Sequence, residues 1–149
     1  MLTKKAKYGL KAMVDLARLD PGRSTFVAEV AERNAIPKKF LDAILGELRN
    51  AGMLTSKKGK AGGYMLARSA DTIMVGAIIR ALDGPLAPIT CASRSAYTPC
   101  DDCKDVEACQ VRLMMVEVRD AISEVLDERS LAEMRDLSDN AMSAFTYQI

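Results

Sequence analysis

No histidine occurs anywhere in the 149 residues. The side chain most often used for general acid–base catalysis and for metal ligation is therefore missing. Two other enzyme signatures are missing as well. No Gly-rich nucleotide cradle follows a strand pattern, and the single C-x2-C, Cys100 to Cys103, lies outside any βαβ pattern. A small iron–sulfur or thiol oxidoreductase is the enzyme reading left, and the chain is expected not to be an enzyme. Long apolar runs are absent too. Val111, residues 113–116 and Val118 are interrupted by charge well short of the ~20 residues that span a bilayer. The opening MLTKKAKYGLKAM has lysines but no apolar core and no cleavage-like site, so no signal peptide is expected. A cytoplasmic protein with no membrane partner follows, and in that compartment paired disulfides rarely persist.

What is present is unevenly distributed. The formal net charge is only +1, yet residues 1–68 hold 14 Lys/Arg against 6 Asp/Glu, while residues 69–149 hold 7 against 14. A basic first half and an acidic second half imply that the first half meets a polyanion. Cysteine is confined to one stretch, CASRSAYTPCDDCKDVEAC, where Cys91, Cys100, Cys103 and Cys109 fall within nineteen residues.

Periodicity predicts a mainly α chain with a small β-wing. Residues 3–19 read as a helix with Tyr8, Ala12, Met13, Leu16 and Leu19 on one face and Lys4, Lys7, Lys11 and Arg18 on another, ended by Pro21-Gly22. Ser24 or Thr25 can cap a short helix over 27–33, and Asn34-Ala35 breaks the chain before Pro37 opens the next helix. That helix, 37–51, places Phe40, Leu41, Ile44, Leu45 and Leu48 on its inner face and stops at Gly52. Two helices around a tight break form a helix-turn-helix pattern. From Met53 the alternation predicts a β-hairpin with Lys57, Lys58 and Lys60 at a glycine-rich tip. A winged helix-turn-helix within a basic half points to double-stranded DNA. Lys38, Lys39 and Asp42, near the start of the second helix, are candidates for reading base edges, and the wing lysines for phosphate or minor-groove contact.

A further helix is expected over 73–82, capped by Asp71-Thr72 and stopped by Gly84-Pro85, followed by an irregular segment and a long helix over 106–128. Val111, Met114, Met115, Val118, Ile122, Val125 and Leu126 recur along the long helix, with Leu113 and Val116 widening the stripe. So broad an apolar face predicts packing against a second copy, a two-fold homodimer on a near-palindromic operator. Ser130 and Glu133 form a capping box that starts a further short helix, and the tail after Ser138 carries little signal. The expected domains are 1–85 as the winged DNA-binding part, 86–105 as a cysteine-containing sensor loop, and 106–149 as the dimerisation helix and tail.

The segments LTKKAKYGLKAMVDLA, IPKKFLDAILGELRNAGMLTSKKGKAGGYMLA and TIMVGAIIRALDGP resemble the bacterial winged-helix regulators that include IscR, NsrR and CymR, and the resemblance covers essentially the whole chain. It implies a dimeric DNA-binding transcription factor that senses iron–sulfur status, nitric oxide, redox state or cysteine supply, the last through zinc or a partner protein. It also implies that Lys58 holds the place of a wing residue entering the minor groove, and Asp42 that of an acidic residue tuning base preference.

The thiol spacing, x8, x2 and x5, fits a zinc ribbon only in part, because one C-x2-C knuckle is present instead of two. Iron–sulfur clusters, [2Fe–2S] or [4Fe–4S], accept looser spacing from flexible loops. A thiol–disulfide switch is the other option. By resemblance, Cys91, Cys103 and Cys109 match the three cysteines of cluster-binding members. The histidine that completes the ligand set in IscR-like members is replaced by Arg112, and the aspartate that does so in NsrR-like members by Lys7. Cys100 is an extra thiol that can serve as the fourth ligand. Asp101, Asp102, Asp105 and Glu107 are expected to raise the thiol pKa values.

Overall fold

The computed structural model describes residues 2–60 and 62–146, with side chains to residue 143. Helix α1, Lys4–Ala17, begins at Thr3, whose hydroxyl accepts the Ala6 N–H at 3.1 Å. Its inner face, Ala6, Leu10, Met13 and Leu16, is buried. Helix α2 spans Val27–Asn34 and α3 spans Lys38–Asn50. Between them Ala35 has a φ of 52°, which sends the chain sharply back and seats buried Ile36 between the two helices. Left-handed backbone costs a non-glycine residue roughly 1–2 kcal/mol. The Ala35 and Ile36 N–H groups offset part of it by closing onto the carbonyls of Glu32 and Ala31. Leu41, Ile44, Leu45 and Leu48 of α3 are buried as the pattern requires. Phe40, expected on that face, is instead 40% exposed. It lies at the edge of the stripe and packs edge-on against Tyr8, centroids 5.7 Å apart.

Strands β1, Leu54–Lys57, and β2, Gly63–Leu66, pair antiparallel from Leu54 opposite Leu66 to Lys57 opposite Gly63. Thr25 and Tyr64 exchange both backbone hydrogen bonds, at 3.0 and 2.8 Å, which fixes the hairpin to the start of α2. This bridge requires Gly63: a Cβ there would lie 2.0 Å from the Thr25 carbonyl oxygen.

Helix α4, Val75–Asp83, begins two residues later than the sequence predicts. Residues 70–72 wind into a 3-10 turn, and Ile73 and Met74 extend to pair with Ser130 and Leu131, so neither can be helical. Helix α5, Gln110–Glu128, also begins late. The Asp105 carboxylate accepts the N–H groups of Glu107 and Ala108, a local turn that occupies the residues expected to open the helix. Helix α6, Leu131–Thr146, starts with the expected capping box: Glu133 accepts the Ser130 N–H at 2.8 Å and donates its own to the Ser130 hydroxyl at 3.2 Å. It packs back on α1, where Arg135 donates to the Ala17 carbonyl. The architecture is thus mainly helical with one two-stranded wing. Among the described residues no helix is long and apolar enough to cross a membrane.

Candidate nucleic-acid interface and thiol site

Three contacts hold α2, the helix that precedes α3. Asp15 of α1 takes Arg33 of α2 at 2.7 Å; Glu29 accepts from Thr25 and from the Phe26 N–H; and Lys11 donates to the Asn34 carbonyl at 2.6 Å, a cation at the C-terminal end of α2. Lys11 is therefore engaged inside the fold rather than free for a flanking phosphate. Lys4 lies over the Tyr8 ring, 5.8 Å from its centroid. Tyr8 is half-buried against Phe40 and presents no stacking face, as its place in the helical pattern predicts.

The structure brings Lys38, Lys39 and Asp42 together as an exposed group over the first turns of α3. Lys38 pairs with Asp42 at 3.0 Å, so that carboxylate is already neutralised. Glu47, further along, is pinned by Lys5 at 2.6 Å. Neither Lys39 nor Arg49 has an ion-pair partner among the described residues. Lys57, Lys58 and Lys60 are all exposed on the wing, which is continuous with α3 through the buried Met53 and Leu54. Sequence reasoning missed Arg49, treating it only as part of the outer face. Its signal was available: it falls two turns beyond Asp42 on that face.

The thiol segment occupies the join between α4 and α5. Cys91 is 2% exposed and lies in a short 3-10 turn, residues 90–92, which two arginines of α5 grip by its carbonyls. Arg112 donates to Cys91 at 2.9 Å and Arg119 to Ala92 at 2.6 Å, while Arg119 and Arg94 share Asp120. Arg112 is thus a clasp on the Cys91 backbone.

The four thiols approach in two pairs. Cys100 bonds Cys91, and that contact, followed by desolvation and neighbouring negative charge including Asp102, pushes its pKa up to about 11. Cys103 is raised by desolvation and then by its bond to Cys109. Cys109 shifts the other way. It sits at the start of α5, where the Arg112 backbone N–H chiefly, and then the Cys103 thiol, favour the thiolate. Two thiols are thus raised chiefly by their cysteine partners and by desolvation, with Asp102 the one acidic neighbour that adds to either shift and only as a lesser cause. Cys109 moves down because it faces helix N–H donors. Among the described residues, no three His, Cys, Asp or Glu side chains converge closely enough to hold one metal ion.

Helix α5 itself has no fully buried residue. Val111, Leu113, Met114 and Val125 are 48–64% exposed. Val118, Ala121, Ile122, Val125 and Leu126 line a shallow, wholly apolar hollow of about 470 Å³.

A family model described as Rrf2, iron-dependent transcriptional regulator, matches residues 2–136. A Rhodobacter capsulatus chain named as an rrf2-like HTH-type transcriptional regulator is 42% identical over 137 residues, covering 90% of this chain and 91% of that one. The structure of CymR, the global cysteine regulator of Bacillus subtilis, is 31% identical with a TM-score of 0.75, covering 92% of this chain and 97% of the other. That of IscR from T. potens is 30% identical with a TM-score of 0.74, covering 95% and 90%.

Proposed function

The chain belongs to the Rrf2 family of transcriptional regulators, and from that footing we propose a homodimer that reads a near-palindromic operator and adjusts its grip to the state of its four thiols. The observation that carries the DNA reading is that Lys38, Lys39, Lys57, Lys58 and Lys60 are all exposed, on a helix and a wing joined through the buried Met53 and Leu54. Near the N-terminus of a helix set in the major groove, Lys38, Lys39 and Asp42 reach base edges, and the wing lysines supply phosphate and minor-groove affinity. Residues 1–85 act as the reading head, 86–105 as the sensor loop and 106–149 as the dimerising part. The uncovered apolar face of α5 supports the dimer, because two such faces laid together remove from water what one chain leaves exposed.

For the sensor, the pairing of the thiols supports an iron–sulfur cluster of the two-iron kind over a single zinc ion. A tetrahedral zinc needs four donors around one point, whereas each iron of a [2Fe–2S] cluster takes two thiolates. Cys91, Cys100, Cys103 and Cys109 would hold it. Bound, such a cluster supplies one-electron redox chemistry and lability toward oxidants. The same pairing suits a reversible dithiol–disulfide change, the second reading. In either case Arg112 and Arg119 tie the Cys91 turn to α5, so a change at the thiols bears on the dimer helix.

Anaerobic purification separates these readings. Brown protein whose charge-transfer absorbance disappears on Cys→Ala substitution supports the cluster. Colourless protein with free-thiol counts that fall by pairs on oxidation supports the dithiol. Colourless protein with stoichiometric zinc, or DNA binding indifferent to all four cysteines, removes the sensor assignment.

A further inference from the structure

Eight of the nine glycines have a reason inside the fold. Each either has a positive φ or would bring a Cβ within 3 Å of another atom. Gly46, in the middle of α3, has neither. Its backbone is helical, and a Cβ built on it meets nothing within 4 Å. Glycine in a helix interior is disfavoured relative to alanine, since more conformational freedom is lost and nothing is packed. The isolated chain therefore gains nothing from it.

The surroundings indicate what does. One turn to either side along α3 stand Asp42, Ala43, Arg49 and Asn50, all exposed. The core-facing residues Leu41, Ile44, Leu45 and Leu48 lie on the opposite side. Gly46 is thus the floor of a notch in the outer face of the helix. Both carboxylates beside the notch are held by lysines, Asp42 by Lys38 and Glu47 by Lys5. Lys39 and Arg49 have no such partner among the described residues. The local balance is cationic and the rim is polar, which suits a polyanion and not the apolar face of another protein. The dimer surface assigned above is elsewhere, on α5.

We propose that the notch at Gly46 is where duplex DNA makes its closest approach to the reading helix, the wall of the major groove entering the space a side chain would fill. Gly46 is then a positioning residue for DNA: it lets α3 sit deep enough for Lys39 and Arg49 to reach their targets. This rests on the reading of α3 as the DNA-facing helix.

The test uses the full-length chain and a duplex selected by the wild-type protein from a random-sequence pool. Gly46→Ala should raise the melting midpoint and weaken binding to that duplex at least tenfold. Gly46→Leu should weaken it further while its melting midpoint stays at or above that of wild type. Higher thermal stability with unchanged affinity would overturn the proposal. A lower melting midpoint for Gly46→Ala would also overturn it, since the glycine would then serve the fold. Lys39→Ala and Lys58→Ala on the same duplex separate the two levels. If they lose affinity while the Gly46 variants keep it, only the notch is wrong; if none loses affinity, the DNA-facing assignment fails as well.

Discussion

Gly76 shows how tightly single positions are set. A methyl group there would fall 2.1 Å from the Asp127 carboxylate, which takes Arg80 in a two-point ion pair at 2.5 and 2.7 Å. That pair ties α4 to the end of α5. Gly76→Ala should push the Asp127 carboxylate off Arg80, the clash being with the tip of a half-exposed side chain. The cost is under ~1 kcal/mol, read as loss of that ion pair's contribution to the acid limb of a stability curve. The Arg80 guanidinium also holds the Asp127 carboxyl below its ordinary range. A depressed carboxyl stabilises the fold fully above the unfolded-state value, and this is lost as pH falls through the lowered folded value. The pair is about 40% exposed, so its worth stays under ~1 kcal/mol. Asp127→Asn should therefore lower neutral-pH stability by under ~1 kcal/mol and flatten the acid limb of a stability-against-pH curve by the same amount; an unaltered acid limb would discount the pair. The core residues Leu41, Ile44, Leu45 and Leu48 were legible from periodicity alone. Gly76 was not, because its neighbour Asp127 lies fifty-one positions along the chain. The clasp of Arg112 on Cys91 escaped for the same reason: spacing displays candidate ligands but not which backbone carbonyl an arginine reaches.

At the scale of elements, type was easier to foresee than boundary. Five helices and the hairpin were legible from periodicity and turn signals such as Pro21-Gly22 or Gly84. For α6 only the start was, from its capping box, and it runs on to Thr146 instead of ending as a short helix. The starts of α4 and α5 were not, since both are set by competing contacts: the Met74–Ser130 bridge in one case and the Asp105 turn in the other. The return of α6 onto α1 was likewise hidden, because it depends on tertiary packing. In the proposed dimer, the exposed apolar face of α5 is the element that meets the second copy. Val125 is 62% exposed and borders the apolar hollow. Val125→Asp should leave the monomer folded, since no intramolecular packing is lost, yet place a charge in the seam between copies. Analytical ultracentrifugation should find a monomer with native far-UV ellipticity. A dimer of unchanged strength would move the interface off this face.

For the whole molecule, the split between a basic first half and an acidic second half governs how it meets a duplex. The acidic half is repelled by phosphate and the basic half attracted, so the field orients the particle before any base is read. The strength of that attraction can be counted. If each subunit commits three to five of Lys39, Arg49, Lys57, Lys58 and Lys60 to phosphates, the dimer neutralises about six to ten, and log K should fall against log salt with a slope of about −5 to −9. Lys58→Ala should reduce that slope by about one per subunit while the dimer stays intact. The two measurements constrain each other. A slope near −1 for the wild type would mean that α3 and wing do not lie along the backbone together. A steep slope untouched by Lys58→Ala would keep the duplex on the basic half but remove it from the wing. Only a steep slope that yields to Lys58→Ala, with dimerisation unchanged, is consistent with a head whose charge lies on the wing and whose partner contact lies on α5.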